Sequence, residues 1–193
     1  ATAEGSPTCN APLSEGKGWT YEGGTREPLA IRWPARVAAG GETDRPVTSP
    51  DFYPTILEAA GIEALPEQHR DGESFYRLLL GESWEREAPI FWHYPHYGNQ
   101  GGSPAASVRR GDWKLIEFFE DGHSELYNLR HDIEETRNVA DQHPELRDEL
   151  RAVLKKWQSE VGALFPEPNP DFVPWDGWMP TAHYPSSGNR GDS

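Results

Sequence analysis

The sequence has a single cysteine, Cys9, and no apolar run long enough to cross a membrane. One cysteine excludes an internal disulfide and a cysteine-rich zinc site. Residues 1–10 have neither a basic start nor an apolar stretch, so we do not expect them to be a signal peptide. A lone thiol is tolerated on either side of a cell membrane, so it leaves the compartment open.

Positive charge is also scarce, since Lys and Arg total 18 against 32 Asp and Glu, which gives a formal net charge of -14. A surface of this charge repels nucleic acid and anionic membranes, so we expect neither as a partner. It also repels a sulfated or phosphorylated substrate unless local cations overcome the field. The few basic residues are therefore the first place to search for a site.

Glycine (19), proline (18) and tryptophan (8) are plentiful, which is typical of an ordered, loop-rich chain. Apolar residues recur at helical spacing after Ser49, where a capping hydroxyl and Pro50 indicate a helix start, although Pro54 could delay the start to residue 54. Period-two and period-3.6 patterns predict the remaining elements. These are strands at 28–34, 90–94, 105–109, 113–119 and 125–129, and helices at 75–80 and 144–161.

One loop combines glycines with cations in the string GKGWTYEGGTREP, residues 16–28. Glycines on both sides of Lys17 allow backbone N–H groups and the ammonium to approach an anion closely. Arg26 either adds a bidentate fork to that anion or holds the loop through an acid such as Glu22. The alternative is a surface loop with scattered charges. The spacing is not that of a P-loop.

This string resembles the signature that follows the metal site in formylglycine-dependent sulfatases of the alkaline-phosphatase superfamily. The resemblance continues, in the family's order, to about residue 161. The blocks that carry it are residues 10–13, 16–28, 31–34, 48–57, 60–61, 111–116 (GDWKLI), 125–129 (ELYNL) and 134–140.

The resemblance implies an α/β fold of the alkaline-phosphatase type. Residues 1–62 would be the end of the catalytic α/β domain, contributing one strand and one helix, and residues 63–88 would connect it to the next part. Residues 89–163 would form a small carboxyl-terminal subdomain, an antiparallel sheet with one long helix, and residues 164–193 an extended tail. A sulfatase would be periplasmic or secreted.

The resemblance also implies a role for Lys17, which matches the lysine that contacts the sulfate and stabilises charge on the bridging oxygen. Arg26 matches a position that is either structural or substrate-binding. The family's nucleophile, a Cys or Ser in Cys/Ser-x-Pro-x-Arg that is oxidised to formylglycine, has no match, because Cys9 is followed by proline at the wrong spacing. The Ca²⁺ ligands of the complete enzyme are also expected outside this chain. We therefore expect the chain alone to be inactive and to need an amino-terminal catalytic portion.

A second candidate site is His93-Tyr94-Pro95-His96-Tyr97. His93 and His96 would hydrogen-bond hydroxyls of a sulfated substrate, with plain aromatic packing as the alternative. Two histidines alone do not make a structural metal site, and no further ligand is evident. The acidic run at Asp132, Glu134 and Glu135 is predicted to lie on a solvated turn, because EF-hand spacing is absent.

Three functions stay open at this point. The first is part of a sulfatase acting on a sulfated carbohydrate or aryl ester. The second is part of a phosphodiesterase or phosphonate monoester hydrolase of the same superfamily, which differs at the nucleophile. The third is a non-catalytic fragment that binds sulfated sugars.

Overall fold

The computed structural model describes residues 9–98 and 101–171, and these divide into two compact units. The first unit comprises Ala1–Glu27 and Phe91–Ser193, and the second comprises Pro28–Ile90. In chain order the helices are α1 (Glu22–Thr25), α2 (Phe52–Ala59), α3 (Tyr76–Leu79) and α4 (Pro144–Glu160), with a 3-10 turn at Ser49–Asp51. The strands are β1 (Ile90–Tyr94), β2 (Ala105–Arg110), β3 (Trp113–Phe118) and β4 (Ser124–Asn128).

The four strands form one sheet in the order β1-β2-β3-β4, as the predicted meander requires. β2 and β3 pair antiparallel with Val108 opposite Leu115, and β3 and β4 pair antiparallel with Leu115 opposite Leu126. The tight connection at Gly111 has a positive φ of 59°, a conformation that glycine adopts at low cost. The four strands predicted between residues 90 and 129 and the predicted long helix are confirmed, each within one residue of its predicted bounds.

The two faces of the sheet bury different partners, because successive side chains on a strand point in opposite directions. Leu115 points to the face covered by α4, where Leu150 and Leu154 are fully buried. Ile116, the next residue on β3, points to the opposite face and packs with Tyr21. The glycine- and lysine-containing loop that precedes α1 therefore lies against the sheet face that α4 leaves uncovered.

The second unit is organised around Asp51, whose side chain is completely buried. Its carboxylate accepts hydrogen bonds from the backbone N–H of Thr48 and of Glu73, and it pairs with Arg86 at 2.5 Å. These contacts join the start of α2 to Glu73 and Arg86, which lie more than twenty residues later in the chain. The aromatic pair Phe52–Phe75 packs edge to face beside them, with ring centroids 5.3 Å apart.

Two expectations for this unit, a strand at 28–34 and a capping role for Ser49, were wrong. Residues 28–34 form no strand, because residues 28–89 contain no other strand with which they could pair. The helical region begins at Ser49–Asp51, as predicted, with a 3-10 turn that α2 continues from Phe52. Pro54 does not delay the start to residue 54, since a proline in the first turn loses no intrahelical hydrogen bond. The residue that caps the preceding turn is Thr48 rather than Ser49, through a reciprocal arrangement with Asp51.

The compact units divide the chain after residues 27 and 90, so residue 62 lies inside the second unit. The assignment of residues 1–62 to the end of a catalytic domain concerns a larger protein and stays a prediction. Most of the predicted tail, residues 172–193, and residues 1–8 lie outside the described residues. In the part of the chain that is described, no helix is long and apolar enough to span a bilayer.

Candidate functional site

Lys17 is exposed in a compact loop, residues 14–24, which we call the lysine loop. The loop is closed by backbone hydrogen bonds from Gly23 N–H to the Ser14 carbonyl at 2.8 Å and from Trp19 N–H to the Gly16 carbonyl at 3.0 Å. The Asn10 side-chain amide donates to the Gly23 carbonyl at 3.0 Å. Lys17 therefore stands on a folded base rather than on an extended segment.

Two glycines of the string that contains Lys17, Gly23 and Gly24, are required by packing. A Cβ on Gly23 would overlap the carbonyl oxygens of Ser14 and Glu15. A Cβ on Gly24 would overlap the carbonyl of Trp19 and approach that of Gly16 at 2.5 Å. The backbone of α1 is thus in direct contact with the backbone of residues 14–16, which precede Lys17.

A second pair of glycines, Gly101 and Gly102, approaches the lysine loop from the segment before β2. A Cβ on Gly102 would overlap the carbonyl oxygen of Gly18, and a Cβ on Gly101 would lie 2.6 Å from the Trp19 ring. Lys17 is therefore flanked on its amino-terminal side by Gly16, which contacts Gly24, and on its carboxyl-terminal side by Gly18, which contacts Gly102.

Beneath the lysine loop lies a buried group of charges, Glu22, Lys114 and Glu135, which we call the buried trio. The Lys114 ammonium is 2.9 Å from Oε1 of Glu22 and 3.0 Å from Oε1 of Glu135. All three side chains are at most 2% exposed. Oε2 of Glu135 also accepts the backbone N–H of Glu22 at 2.6 Å. The trio therefore ties α1 both to β3 and to the turn after β4.

The two carboxylates share Lys114 unequally. Burial alone would raise the pKa of Glu22, but Lys114, Arg109 and Arg26 together hold that pKa below its usual range. Arg26 lies 3.5 Å and Arg109 3.6 Å from Oε2 of Glu22. Burial raises the pKa of Glu135 to about 7, because it faces Lys114 alone among the cations and also the charge of Glu22. Arg26 therefore pairs with Glu22, which is the contact that one of its two predicted roles requires, and a direct role in substrate binding stays a prediction.

The raised pKa of Glu135 predicts a pH dependence of stability. Its contribution is fully present below about pH 4.5, the ordinary value, and is lost as the pH rises toward 7, because the unfolded chain releases the proton first. Glu135→Gln imitates the protonated form, so wild type should lose stability relative to this variant across that window. Denaturation curves of both proteins from pH 4.5 to 8 measure the difference. Glu134→Gln, at the exposed neighbouring position, is the control, and a constant difference across the window would contradict the prediction.

The two histidines lie in different surroundings. His93 is half-buried and packs against Phe119 and Phe165, with both centroid distances at 5.3–5.4 Å. Its Nε2 lies 2.7 Å from the Leu164 carbonyl, and its Nδ1 lies 3.2 Å from the Gln158 amide nitrogen. His96 is exposed and meets the ring of Tyr94 edge to face at 5.5 Å. A role for either in substrate binding stays a prediction.

Within residues 9–98 and 101–171, no three His, Cys, Asp or Glu side chains come together as a metal-binding group. These described residues therefore do not by themselves fit a Ca²⁺ ion. Cys9 is exposed, and its sulfur lies 3.4 Å from the Ala11 nitrogen.

Residues 16–160 match the family model described as N-sulphoglucosamine sulphohydrolase, C-terminal, which is most of the chain. The chain belongs to the sulfatase family. It corresponds to the carboxyl-terminal portion of such a protein, and its architecture is that of the alkaline-phosphatase-like sulfatases.

Relatives of known sequence agree with this assignment. A protein named sulfatase from Formosa agariphila is 36% identical over 81% of this chain and 32% of its own length. Human arylsulfatase A is 39% identical over 59% of this chain and 22% of its own length. The chain thus spans about a third of the first of these relatives and less of the second.

Two solved structures share the fold of this sulfatase portion. Ps i-CgsB in complex with k-i-k-neocarrahexaose is 28% identical with a TM-score of 0.62, over 81% of this chain and 34% of that one. BT4656 in complex with its substrate D-glucosamine-2-N,6-O-disulfate is 25% identical with a TM-score of 0.55, over 68% of this chain and 28% of that one.

Sequence reasoning missed the buried trio of this sulfatase portion. The sequence pattern places Lys114 in a predicted strand and gives it no role, and the prediction that Glu135 lies on a solvated turn is wrong, since its side chain is fully buried. A usable signal was present in the pattern of β3, where Lys114 is two residues before the core residue Ile116 and so faces the same side of the sheet. A lysine on a buried face demands an acidic partner.

Proposed function

We propose that the protein to which this chain belongs hydrolyses sulfate esters of a sulfated carbohydrate, and that Lys17 contacts the sulfate. Membership of the sulfatase family supports the reaction class. The sugar ligands of Ps i-CgsB and BT4656 support the substrate class. An aryl ester is the alternative substrate.

The observation that supports the role of Lys17 is its placement, an exposed residue on a loop whose backbone is packed from two sides. As the ester S–O bond breaks, negative charge grows on the bridging oxygen. A cation already fixed at that point stabilises the transition state without having to reorganise. It also opposes the repulsion that a net charge of -14 exerts on an anionic substrate.

The nucleophile, formylglycine in this proposal, and Ca²⁺ would come from the amino-terminal portion that the relatives possess, and the chain by itself would release no sulfate. His93 and His96 would contact hydroxyls of the leaving sugar, with His96 the more accessible of the two. Arg26 would act on the substrate only indirectly, through Glu22. A periplasmic or secreted location stays a prediction.

The experiment is Lys17→Ala in a protein that joins this chain to that amino-terminal portion. Loss of one charge-stabilising group predicts a decrease in kcat/KM of roughly 100-fold on a sulfated saccharide. Lys155→Ala is the control, because Lys155 is exposed on α4. An unchanged kcat/KM for Lys17→Ala would refute the sulfate contact. Cleavage of a phosphodiester or a phosphonate monoester, with release of the alcohol, but no release of sulfate from a sulfate ester by the unaltered joined protein would favour the phosphodiesterase or phosphonate hydrolase alternative.

A further inference from the structure

We propose that the buried trio is a positioning device for Lys17, with Glu135 and Lys114 acting as positioning residues through Glu22 and the lysine loop. The effect of the trio on catalysis rests on the proposed function of Lys17. The anchoring of the lysine loop by the trio does not. None of the three residues is exposed enough to meet a substrate, since each side chain is at most 2% exposed.

The path from the trio to Lys17 consists of short, specific contacts. Glu135 accepts the N–H of Glu22 at 2.6 Å, which fixes the backbone at the start of α1. The next residue, Gly23, donates to the Ser14 carbonyl at 2.8 Å, and the Ser14 hydroxyl donates to the carbonyl of Glu134, at 2.7 Å. Residues 134–135 therefore hold the lysine loop at two points on either side of Lys17.

The backbone at Glu135 shows that this position is over-determined. Its φ is +51°, in the left-handed region that residues other than Gly, Asn and Asp seldom occupy. Such a conformation persists where the surroundings impose it, and here the carboxylate is held by both Lys114 and the Glu22 N–H. In this backbone conformation the side chain of Glu135 points to the start of α1, and its contacts there hold the backbone in that conformation.

Charge gives this anchor a directional specificity that an apolar contact lacks. An apolar contact allows the two surfaces to shift relative to each other. Each carboxylate of the trio, in contrast, lies within 3.0 Å of the same ammonium. Lys114 is itself fixed because it lies on β3, which pairs with a strand on each side. Buried ionic groups of this kind gain little net stability, and in some proteins they restrict the chain to one arrangement, which is the role inferred for the trio. For Lys17, whose contribution depends on its distance from the reacting oxygen, a fixed arrangement is what matters.

The first test measures the lysine loop in this chain, without any catalysis. Glu135→Ala should speed amide hydrogen exchange at Glu22 and Gly23 by about tenfold or more, while the β2–β3 amides, which pair independently, change less. Glu135→Gln keeps an acceptor for the Glu22 N–H and should restore slow exchange. Equal acceleration across the loop and the sheet would show a general loss of stability and overturn the positioning role, as would no acceleration at all.

The second test is a double-mutant cycle in the protein joined to its amino-terminal portion. Glu135→Ala should lower kcat/KM by about 10- to 100-fold, and Glu135→Gln should recover most of it, because a small displacement of a catalytic group is costly. Adding Glu135→Ala to Lys17→Ala should cause no further loss, since both act on one group. Additive losses would overturn the link to Lys17. If Lys17→Ala alone had no effect, the proposed function would fail while the hydrogen-exchange result still decided the anchoring.

A third variant tests the position of the lysine loop without changing a buried charge, so it stays informative if the Glu135 variants misfold. Gly102→Ala should push the Gly18 carbonyl away and lower kcat/KM, without altering any buried charge. Gly122→Ala is its matched control, because Gly122 has nearly the same φ, 75° against 80°, and no atom within 4 Å of an added Cβ. Equal activities of the two variants would contradict the idea that the position of the lysine loop sets the rate.

Discussion

Lys114→Met is expected to lower the free energy of unfolding of the sheet by about 3–5 kcal/mol, the usual effect of removing one partner from a buried ion pair. Methionine fills a similar volume and can still pack near Trp92, whose ring the Lys114 ammonium approaches to 5.8 Å. What it cannot do is compensate Glu22 and Glu135, both of which would then be buried with one cation fewer. The expected loss is therefore one of charge compensation rather than of packing.

The measurement is amide hydrogen exchange of the β2 and β3 residues against urea concentration, which reports opening of the sheet itself. Lys155→Met is the matched control, because Lys155 lies exposed on α4 and its loss should change stability by less than about 0.5 kcal/mol.

A second variant separates charge from packing. Combining Lys114→Met with Glu135→Gln removes the Lys114–Glu135 pair and leaves Glu22 with its other partners, Arg26 and Arg109. Neutral replacement of buried ion pairs is often close to energetically neutral. We therefore expect this double variant to regain part of the lost stability. If the double variant were as unstable as Lys114→Met alone, the uncompensated charge of Glu135 would not be the cause of the loss.

The strand β3 was predicted correctly and the burial of Glu135 was not, and the difference shows which features of this structure the sequence can predict. The strands and α4 follow local periodicities, which need no knowledge of distant residues, and they were predicted within one residue of their bounds. The trio joins residues that are 92 and 113 positions apart in the chain. No local pattern specifies such a pairing, so Glu135 looked like one more acid in a solvated run.

Residues 28–34 failed for a related reason. An apolar segment becomes a strand only when another strand supplies hydrogen bonds, and local composition does not show whether that partner exists. The role of Lys17 stays a prediction. The string shows glycines beside Lys17, but it does not show that Glu135 and Gly102 hold the lysine loop, because those contacts join residues that are distant in the sequence.

In the second unit, Asp51→Ala is expected to lower the free energy of unfolding by about 3–5 kcal/mol. The substitution removes the partner of a buried arginine and of two backbone donors at the same time. Arg86 is 6% exposed and would lose its carboxylate partner. The N–H groups of Thr48 and Glu73 would lose their acceptor. Asp51→Asn should recover part of this loss, since one amide oxygen can still accept but the charge for Arg86 is gone.

Hydrogen exchange at the buried Phe75 amide, which donates to the Thr55 hydroxyl at 3.0 Å, is the appropriate probe for this unit. Thr55 in turn donates to the Asp51 carbonyl at 2.6 Å, so the probe reports on the same junction. Asp44→Ala, at an exposed position, should leave exchange at Phe75 unchanged. If Asp51→Ala and Asp44→Ala were equally stable, the buried carboxylate would not be what joins α2 to residues 73–86, and the Phe52–Phe75 contact would have to hold that junction alone.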